Sequence, residues 1–332
     1  MRERGNGCSG SVLLMVSIDT EEDNWYRSRK AVTLENISEL RRLAAFFECL
    51  GVRPTYFTSY AVATDLRAAA VMREVGDSGR AEIAAHLHPW NTPPLTEAFV
   101  PRNSMLNNLP AELQLTKLQR LTAALEEAFG FTPRAFRAGR YGLGRDTVAA
   151  LVRCGYRVDS SVTPFVNWED VDDGPTFFGA PLSVYRLSPS RDVRHPDPDG
   201  DLLEIPLSSG FCRGPVRLWD PARRFLDAAP LRQVRLAGQA ALTGLLKRTV
   251  LSPELASVNE MLALSSRLLE QGVRHLQLSW HSPSLKPGLS PYTATAADVA
   301  RLYASVEAYL EGLSKITSLT FATISEAAAL LG

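Results

Sequence analysis

The sequence predicts an α/β protein whose strands form a parallel sheet that curls into a barrel. Predicted strands and helices alternate along most of the 332 residues, which is the pattern of parallel strands joined by helical crossovers. About seven or eight such units are present, enough to close a barrel. The continuous apolar stretch VLLMV at residues 12–16 is typical of a strand buried on both faces, as a parallel sheet requires.

The elements follow one another with short connections. The first strand is predicted at residues 11–19, and residues 33–50 then carry apolar side chains at helical spacing. A helix at 65–75 begins at Asp65, whose side chain is a typical cap. Further strands are predicted at 53–58, 82–86, 134–138, 156–160, 182–187, 202–207, 274–280 and 319–323. Further helices are predicted at 111–129, 145–154, 252–271, 295–313 and 325–331.

No internal repeat or low-complexity tract divides the chain, so residues 1–332 are interpreted as one domain. Residues 211–249 are an elaboration of that domain, with a basic amphipathic helix at 231–247. Residues 94–108 form a long, polar, proline-bearing loop of the kind that covers a site.

Composition excludes several classes of protein. The chain is 45% hydrophobic and 22% charged, with a net charge of zero, so no basic field indicates nucleic acid. No stretch approaches the roughly 20 apolar residues of a membrane span, and the apolar run at 12–16 is too short for a signal peptide, which favours the cytoplasm. The four cysteines are scattered and indicate reduced thiols rather than a zinc site.

Unusual polar residues stand where successive predicted strands end. Asp19 is followed by Glu21, Glu22 and Asp23; the other strand ends carry His86 with His88, Arg137, Asp159 and His281. In a parallel α/β barrel those ends open on one face, where active sites lie. We therefore expect these side chains to converge.

His86 and His88 are two residues apart, so in an extended segment their imidazoles share a face. Imidazole is the commonest protein ligand for zinc and related metals. Two imidazoles and a carboxylate leave one position for water, as in catalytic zinc sites. Such a site predicts metal-assisted hydrolysis, with a second carboxylate to take the proton of water and a histidine to protonate a departing amine.

Five short stretches together resemble the motifs of one family: SIDTEED, HLHPW, RAGRY, VDSSV and LSWH. In order and position they are similar to those of the polysaccharide deacetylases of the NodB-homology type, carbohydrate esterase family 4, and most of all to its WalW-like branch. The resemblance covers nearly the whole chain and implies a distorted (β/α) barrel of about seven strands. It also implies a divalent metal, Zn²⁺ with Co²⁺ or Ni²⁺ as alternatives, and a carbohydrate substrate that loses an N-acyl group, acetyl above all.

The resemblance also implies residue roles. Asp19 is the general base, Arg137 holds it in place, and His281 is the general acid. Asp159 orients the catalytic imidazole, and the amide of the turn near Tyr141 faces the oxyanion. The metal ligands are His86, His88 and an acid.

The chain departs from the family pattern at the metal. Thr20 stands where the family has its metal-binding acid, and the histidines are two rather than four residues apart. Glu21 is the first substitute and Asp23 the next, although this acidic segment is also compatible with a solvated turn. Trp90, among prolines, is interpreted as a wall of the substrate site.

The sequence thus predicts a metal-dependent amide hydrolase acting on an N-acylated amino sugar. Hydrolysis of a small cyclic amide or imide on the same scaffold is an alternative, because the site chemistry is identical. A third hypothesis is an inactive sugar-binding module, which Thr20 favours.

Overall fold

The computed structural model describes residues 11–25, 32–212 and 248–332. The predicted basic helix at 231–247, and most of the predicted elaboration at 211–249, lie outside the described residues. The strands are β1 (Val12–Thr20), β2 (Pro54–Ser59), β3 (Glu82–Leu87), β4 (Ala135–Ala138), β5 (Val158–Asp159), β6 (Tyr185–Leu187), β7 (Leu202–Glu204), β8 (Ser209–Phe211), β9 (Arg248–Val250), β10 (His275–His281) and β11 (Leu319–Phe321).

The helices are α1 (Leu40–Leu50), α2 (Tyr60–Thr64), α3 (Leu66–Gly76), α4 (Ala111–Phe129), α5 (Arg145–Arg153), α6 (Val258–Glu270), α7 (Ala296–Ser314) and α8 (Ile324–Leu331). Short 3₁₀ turns lie at Glu35–Glu39, Pro101–Ser104, Leu106–Asn108, Gly139–Tyr141 and Ser282–Leu285. None of the described helices is long and apolar enough to cross a bilayer.

One curled sheet organises the chain, in the order β10-β1-β2-β3-β4-β5-β7-β6. The seven strands from β10 to β7 run parallel, and β11 pairs in parallel with the start of β1. The predicted distorted barrel of about seven parallel strands is therefore confirmed. Within this sheet β6 runs antiparallel to β7, and β8 and β9 form a separate antiparallel pair.

The sequence predicted enough strands to close a barrel, and in this respect the observed fold differs. Among the described residues no ladder joins β10 to β6, so the sheet is a half-barrel. The strands from β4 to β7 are two to four residues long, shorter than the seven to nine residues of β10 and β1.

Strand register aligns the predicted site residues. Asp19 in β1 is directly opposite His281 in β10, and His86 in β3 is opposite Arg137 in β4. Because parallel strands end at the same edge, these side chains meet at the carboxyl end of the sheet.

The two faces of the sheet differ in chemistry. In β1, Val16 and Ile18 belong to the largest apolar cluster, beneath α1, α3, α6 and α7. The alternating Ser17 and Asp19 are buried on the other face, inside the half-barrel. Polar side chains line that interior and support the site above it.

Helix ends test the local predictions. Asp65 accepts hydrogen bonds from the amides of Arg67 and Ala68, as a cap should. The helix predicted to begin at residue 252 begins instead at Val258, because Ser257 and Glu260 form a capping box. The residues before it form a turn that carries Glu254.

Candidate metal centre and active site

Three buried side chains bring ligand atoms to one point. The Nε2 atoms of His86 and His88 are 3.1 Å apart, and Oε2 of Glu21 lies 3.3 Å and 3.0 Å from them. Ligands about 2.0–2.1 Å from a tetrahedral zinc are separated by about 3.3–3.4 Å, so this triangle matches one face of such a site. Among the described residues these three form the only such cluster of histidine, cysteine and acidic side chains.

Hydrogen bonds at Nδ1 of each imidazole determine which ring nitrogen faces the cluster. Nδ1 of His86 is 3.0 Å from the carbonyl oxygen of Arg137, and Nδ1 of His88 is 2.9 Å from Oε1 of Glu22. Both partners accept, so each Nδ1 carries a hydrogen and each ring turns its Nε2 toward Glu21. Two ring nitrogens and a carboxylate oxygen then converge on one point, an arrangement that a divalent cation would stabilise by displacing the proton held between them.

Burial and neighbouring charges act in opposite directions on the pKa values of Glu21 and His88. Burial alone would raise the pKa of Glu21, but the charge of His88 and hydrogen bonds from both imidazoles lower it well below its ordinary value. Burial alone would lower the pKa of His88, but the charges of Glu22 and Glu21 raise it to about 9. In the metal-free protein His88 therefore holds the proton that a metal would displace.

The acidic residues after β1 make different contacts. Glu21 joins the ligand cluster, whereas the Asp23 carboxylate accepts from the backbone amides of Glu35 and Asn36 and begins the first 3₁₀ turn. The hydroxyl of Thr20 donates to the carbonyl oxygen of Ile18. Of the two substitutes considered for the missing acid, Glu21 lies at the site, and the alternative of a solvated turn is wrong because the segment is buried.

Trp90 lies behind the ligands. Its ring stacks on His88 with centroids 4.1 Å apart, and its Nε1 donates to Oε1 of Glu22 at 2.8 Å. Only 7% of Trp90 is exposed, so these contacts support His88 and leave little surface for the predicted contact with substrate.

Arg137 and Asp19 form a buried ion pair, with Nη1 2.5 Å from Oδ1. The Arg137 Nε donates to the carbonyl oxygen of Ser160, and its guanidinium lies 4.1 Å from the centre of the Phe57 ring. Its other hydrogens go to the hydroxyls of Ser17, Ser160 and Ser279. A buried guanidinium needs such partners, and here they orient Asp19 so that Oδ2 faces His281.

His281 is held by an acid that the sequence did not single out. Its Nδ1 is 2.8 Å from Oε2 of Glu254, and its backbone amide donates to Oε1 of the same side chain at 3.2 Å. Burial alone would lower the pKa of His281, but the charges of Glu254, Glu21 and Asp19 raise it to about 10. The imidazole is thus a cation at neutral pH, with Nε2 3.9 Å from Oδ2 of Asp19.

The contact expected of Asp159 is corrected. Its carboxylate accepts from the amide and hydroxyl of Ser161, and it lies beside the buried Glu204 on the neighbouring strand. Burial raises the pKa of Asp159, and burial together with the charge of Asp159 raises the pKa of Glu204 well above its ordinary value. The partner of His281 Nδ1 is therefore Glu254, and not Asp159 as expected from the sequence.

The turn after β4 explains the glycines of RAGRYG. A Cβ on Gly139 would lie 2.1 Å from Cδ2 of His88, so only glycine lets this ligand ring pack against the backbone. Arg140 and Tyr141 have φ values of 54° and 58°, a left-handed backbone that ordinary residues adopt rarely and that recurs at functional sites.

Aromatic rings surround the open side of His281. Trp25 stacks on it at 4.6 Å between centroids, and the Tyr292 ring is parallel to it at 6.1 Å. Tyr141 stacks on Trp168 at 5.8 Å between centroids, and burial, followed by the charge of Asp19, raises the pKa of its hydroxyl. With 20% of its side chain exposed, His281 is more accessible than Asp19 or Glu254.

Lys117 of α4 holds the segment that follows His88. Its Nζ donates to the carbonyl oxygens of Pro89, Thr92 and Pro94 at 2.7–2.9 Å and pairs with Glu97. A single buried cation thereby organises the start of the predicted covering loop.

No protein-family model matches the chain, and no curated protein matches its sequence. Solved structures do match its fold. A "putative polysaccharide deacetylase" from Mycobacterium smegmatis has a TM-score of 0.54 and 18% identity, over 98% of this chain and 92% of that one. A "putative glycoside hydrolase/deacetylase" from Parabacteroides distasonis has a TM-score of 0.57 and 15% identity, over 96% of this chain and 70% of that one. The chain therefore has the fold of these proteins, as the resemblance predicted; the WalW-like branch stays a prediction.

Proposed function

We propose that this chain is a metal-dependent polysaccharide deacetylase of the NodB-homology type. Its reaction is the hydrolysis of the N-acyl group, acetyl in the first place, from an amino sugar of a glycan or glycan precursor. The observation that carries the proposal is the triangle of acceptor atoms from Glu21, His86 and His88, flanked by Asp19 and His281. The names of the proteins that share the fold agree with this chemistry.

In this proposal Glu21, His86 and His88 hold the metal. When bound, a divalent metal polarises the amide carbonyl and acidifies a water molecule. The donor set of two imidazoles and one carboxylate suits Zn²⁺, and Co²⁺ or Ni²⁺ would fit the same ligands.

The chain's own residues move the protons. Asp19 accepts the proton of the attacking water at Oδ2, because Oδ1 is occupied by Arg137. His281 starts as the imidazolium and donates its Nε2 proton to the nitrogen of the breaking C–N bond. One water and one amide thereby become a carboxylic acid and an amine. The backbone of the turn at Tyr141 is proposed to stabilise the oxyanion.

Two other functions remain testable. A small cyclic amide would use the same groups, so only a substrate screen separates it from an amino sugar. The inactive sugar-binding module lost its main support when Glu21, rather than Thr20, was found beside the two imidazoles.

The test is an assay of purified protein on acetylated chito-oligosaccharides and on small ring amides, with acetate or ring-opened product as the readout. We expect acetate from the oligosaccharides only, and loss of at least about 10²-fold in rate for His281→Ala. A matched control is His275→Gln, which alters a buried histidine at the far end of the same strand. Wild-type turnover by His281→Ala would contradict the role of His281, and turnover of ring amides alone would contradict the substrate class.

A further inference from the structure

A second buried acid contacts a proposed metal ligand without belonging to the ligand cluster. Glu22 follows Glu21 directly, and the two carboxylates reach His88 from opposite sides. Oε2 of Glu21 is 3.0 Å from Nε2 of the ring, and Oε1 of Glu22 is 2.9 Å from Nδ1. The ring is thus held between a ligand carboxylate and a supporting carboxylate.

Hydrogen bonds give the Glu22 side chain a defined position. Its side chain is fully buried, and Oε1 accepts from both Nδ1 of His88 and Nε1 of Trp90. Oε2 is buried without a hydrogen-bond partner among the described residues. No arginine or lysine pairs with Glu22 in the described part of the chain, so its ion-pair contact there is with His88.

We propose that Glu22 is a positioning residue for the metal centre, forming a carboxylate–histidine–metal relay with His88. The carboxylate keeps the hydrogen of His88 on Nδ1, directs the Nε2 lone pair at the metal and makes the ring a stronger donor. Trp90 fixes the carboxylate by its second hydrogen bond and by stacking on the ring. This inference rests on the proposed metal site but not on the substrate.

The experiment measures metal affinity, which needs no substrate. Zn²⁺ affinity of the metal-free protein is determined by chelator competition for the wild type, Glu22→Gln and Glu204→Gln. Gln keeps the size of Glu22 and one oxygen able to accept from His88 and Trp90, and it replaces the carboxylate with a neutral amide, a weaker acceptor. We expect the Kd for Zn²⁺ to rise by roughly 10–100-fold in Glu22→Gln. Glu204→Gln, which alters an equally buried acid outside the ligand cluster, should leave the Kd unchanged.

A second measurement covers the case in which Glu22→Gln does not fold. In the zinc-loaded wild type with ¹⁵N-labelled histidines, NMR should show His88 protonated at Nδ1 and metal-bound at Nε2. The opposite tautomer, or a Kd for Glu22→Gln within twofold of the wild type, would overturn the proposal.

The zinc-binding result can be distinguished from success or failure of the deacetylase proposal. If Glu21→Gln abolishes zinc binding and Glu22→Gln weakens it while no acetylated sugar is turned over, the role of Glu22 stands and the deacetylase proposal fails. If both substitutions leave zinc binding unchanged, Glu22 has no such role.

Discussion

Oε2 of Glu254 lies 2.8 Å from Nδ1 of His281, and the same carboxylate accepts from the backbone amide of that histidine. The side chain of Glu254 is 1% exposed, so its charge acts on the imidazole with little screening by solvent. This contact sets both the orientation and the protonation state of the proposed general acid.

Replacing Glu254 with Gln should therefore change the pH dependence of catalysis. The charges of Glu254, Glu21 and Asp19 together raise the pKa of His281 to about 10, so without the first of them the imidazolium loses its proton at lower pH. We expect the alkaline limb of the kcat/KM profile to move down by roughly 1–3 pH units, with a rate loss of roughly 10²-fold. Asp159→Asn discriminates between the two acids: a shift of that limb in Asp159→Asn and none in Glu254→Gln would reverse our assignment.

Metal content should distinguish the acids of the segment after β1. Glu21→Gln removes a ligand, so zinc bound per chain should fall from about one equivalent to a small fraction after dialysis. Asp23→Asn is the matched control, because it alters a capping carboxylate two residues away. It should keep its zinc and lose about 1 kcal/mol of unfolding free energy. Elemental analysis and urea unfolding measure the two effects, and zinc retained by Glu21→Gln would contradict the ligand set.

Gly139→Ala should damage the metal site without touching a ligand. The added methyl would lie 2.1 Å from the His88 ring and 2.6 Å from the carbonyl oxygen of Leu87, so the ring must move. We expect zinc affinity to fall at least about tenfold, since a displaced ligand no longer completes the triangle. Gly130→Ala is the control: it has a left-handed φ but open space around it, and it should cost about 1 kcal/mol of stability while zinc affinity is unchanged.

The buried pair of Arg137 and Asp19 should show strong coupling. Arg137→Met leaves the Asp19 carboxylate buried without its counter-charge, which we expect to cost about 3–5 kcal/mol of unfolding free energy. Adding Asp19→Asn to that variant should restore part of the loss, because the uncompensated charge is then gone. Urea unfolding of the four proteins in the cycle gives the coupling energy. Additive losses would show that the pair does not interact as described.

The buried acids Asp159 and Glu204 should make stability depend on pH. The folded protein raises the pKa of Glu204 above its unfolded value, so the folded state binds more protons than the unfolded state at pH above about 4.5. The stabilisation is present in full below that pH and is lost as pH rises toward the folded pKa. Glu204→Gln removes this loss, so its stability relative to the wild type should increase from pH 5 to pH 8. Parallel pH profiles of the two proteins in thermal unfolding would contradict this account.

Local signals in the sequence were sufficient for several elements. α4 spans Ala111–Phe129 as predicted, because apolar spacing and Gly130 act within a few residues of the helix. The predicted start of α6 at residue 252 was wrong, because the sequence carries two helix-start signals, Ser252-Pro253 and the capping box at Ser257. The burial of Glu254 against His281 decides between the two signals.

In the site, too, some features follow from the local sequence and others only from tertiary packing. Histidines two apart on a strand must share a face, so the convergence of His86 and His88 follows from the local backbone. Which acid meets them does not follow, because Glu21, Glu22 and Asp23 stand in one irregular segment beyond β1. Glu254 lies 27 residues from His281, and no local pattern links the two.

By itself the sequence determined the class of fold, the strand ends that carry the site and the residue types available there, since periodicity and strand alternation act over a few residues. Only the tertiary structure decided that Glu21 lies beside His86 and His88, that Glu22 contacts the far side of His88 and that Glu254 rather than Asp159 contacts His281. The physical reason is that a buried carboxylate is stable only beside a matching donor or cation, and which donor it meets depends on how distant segments pack.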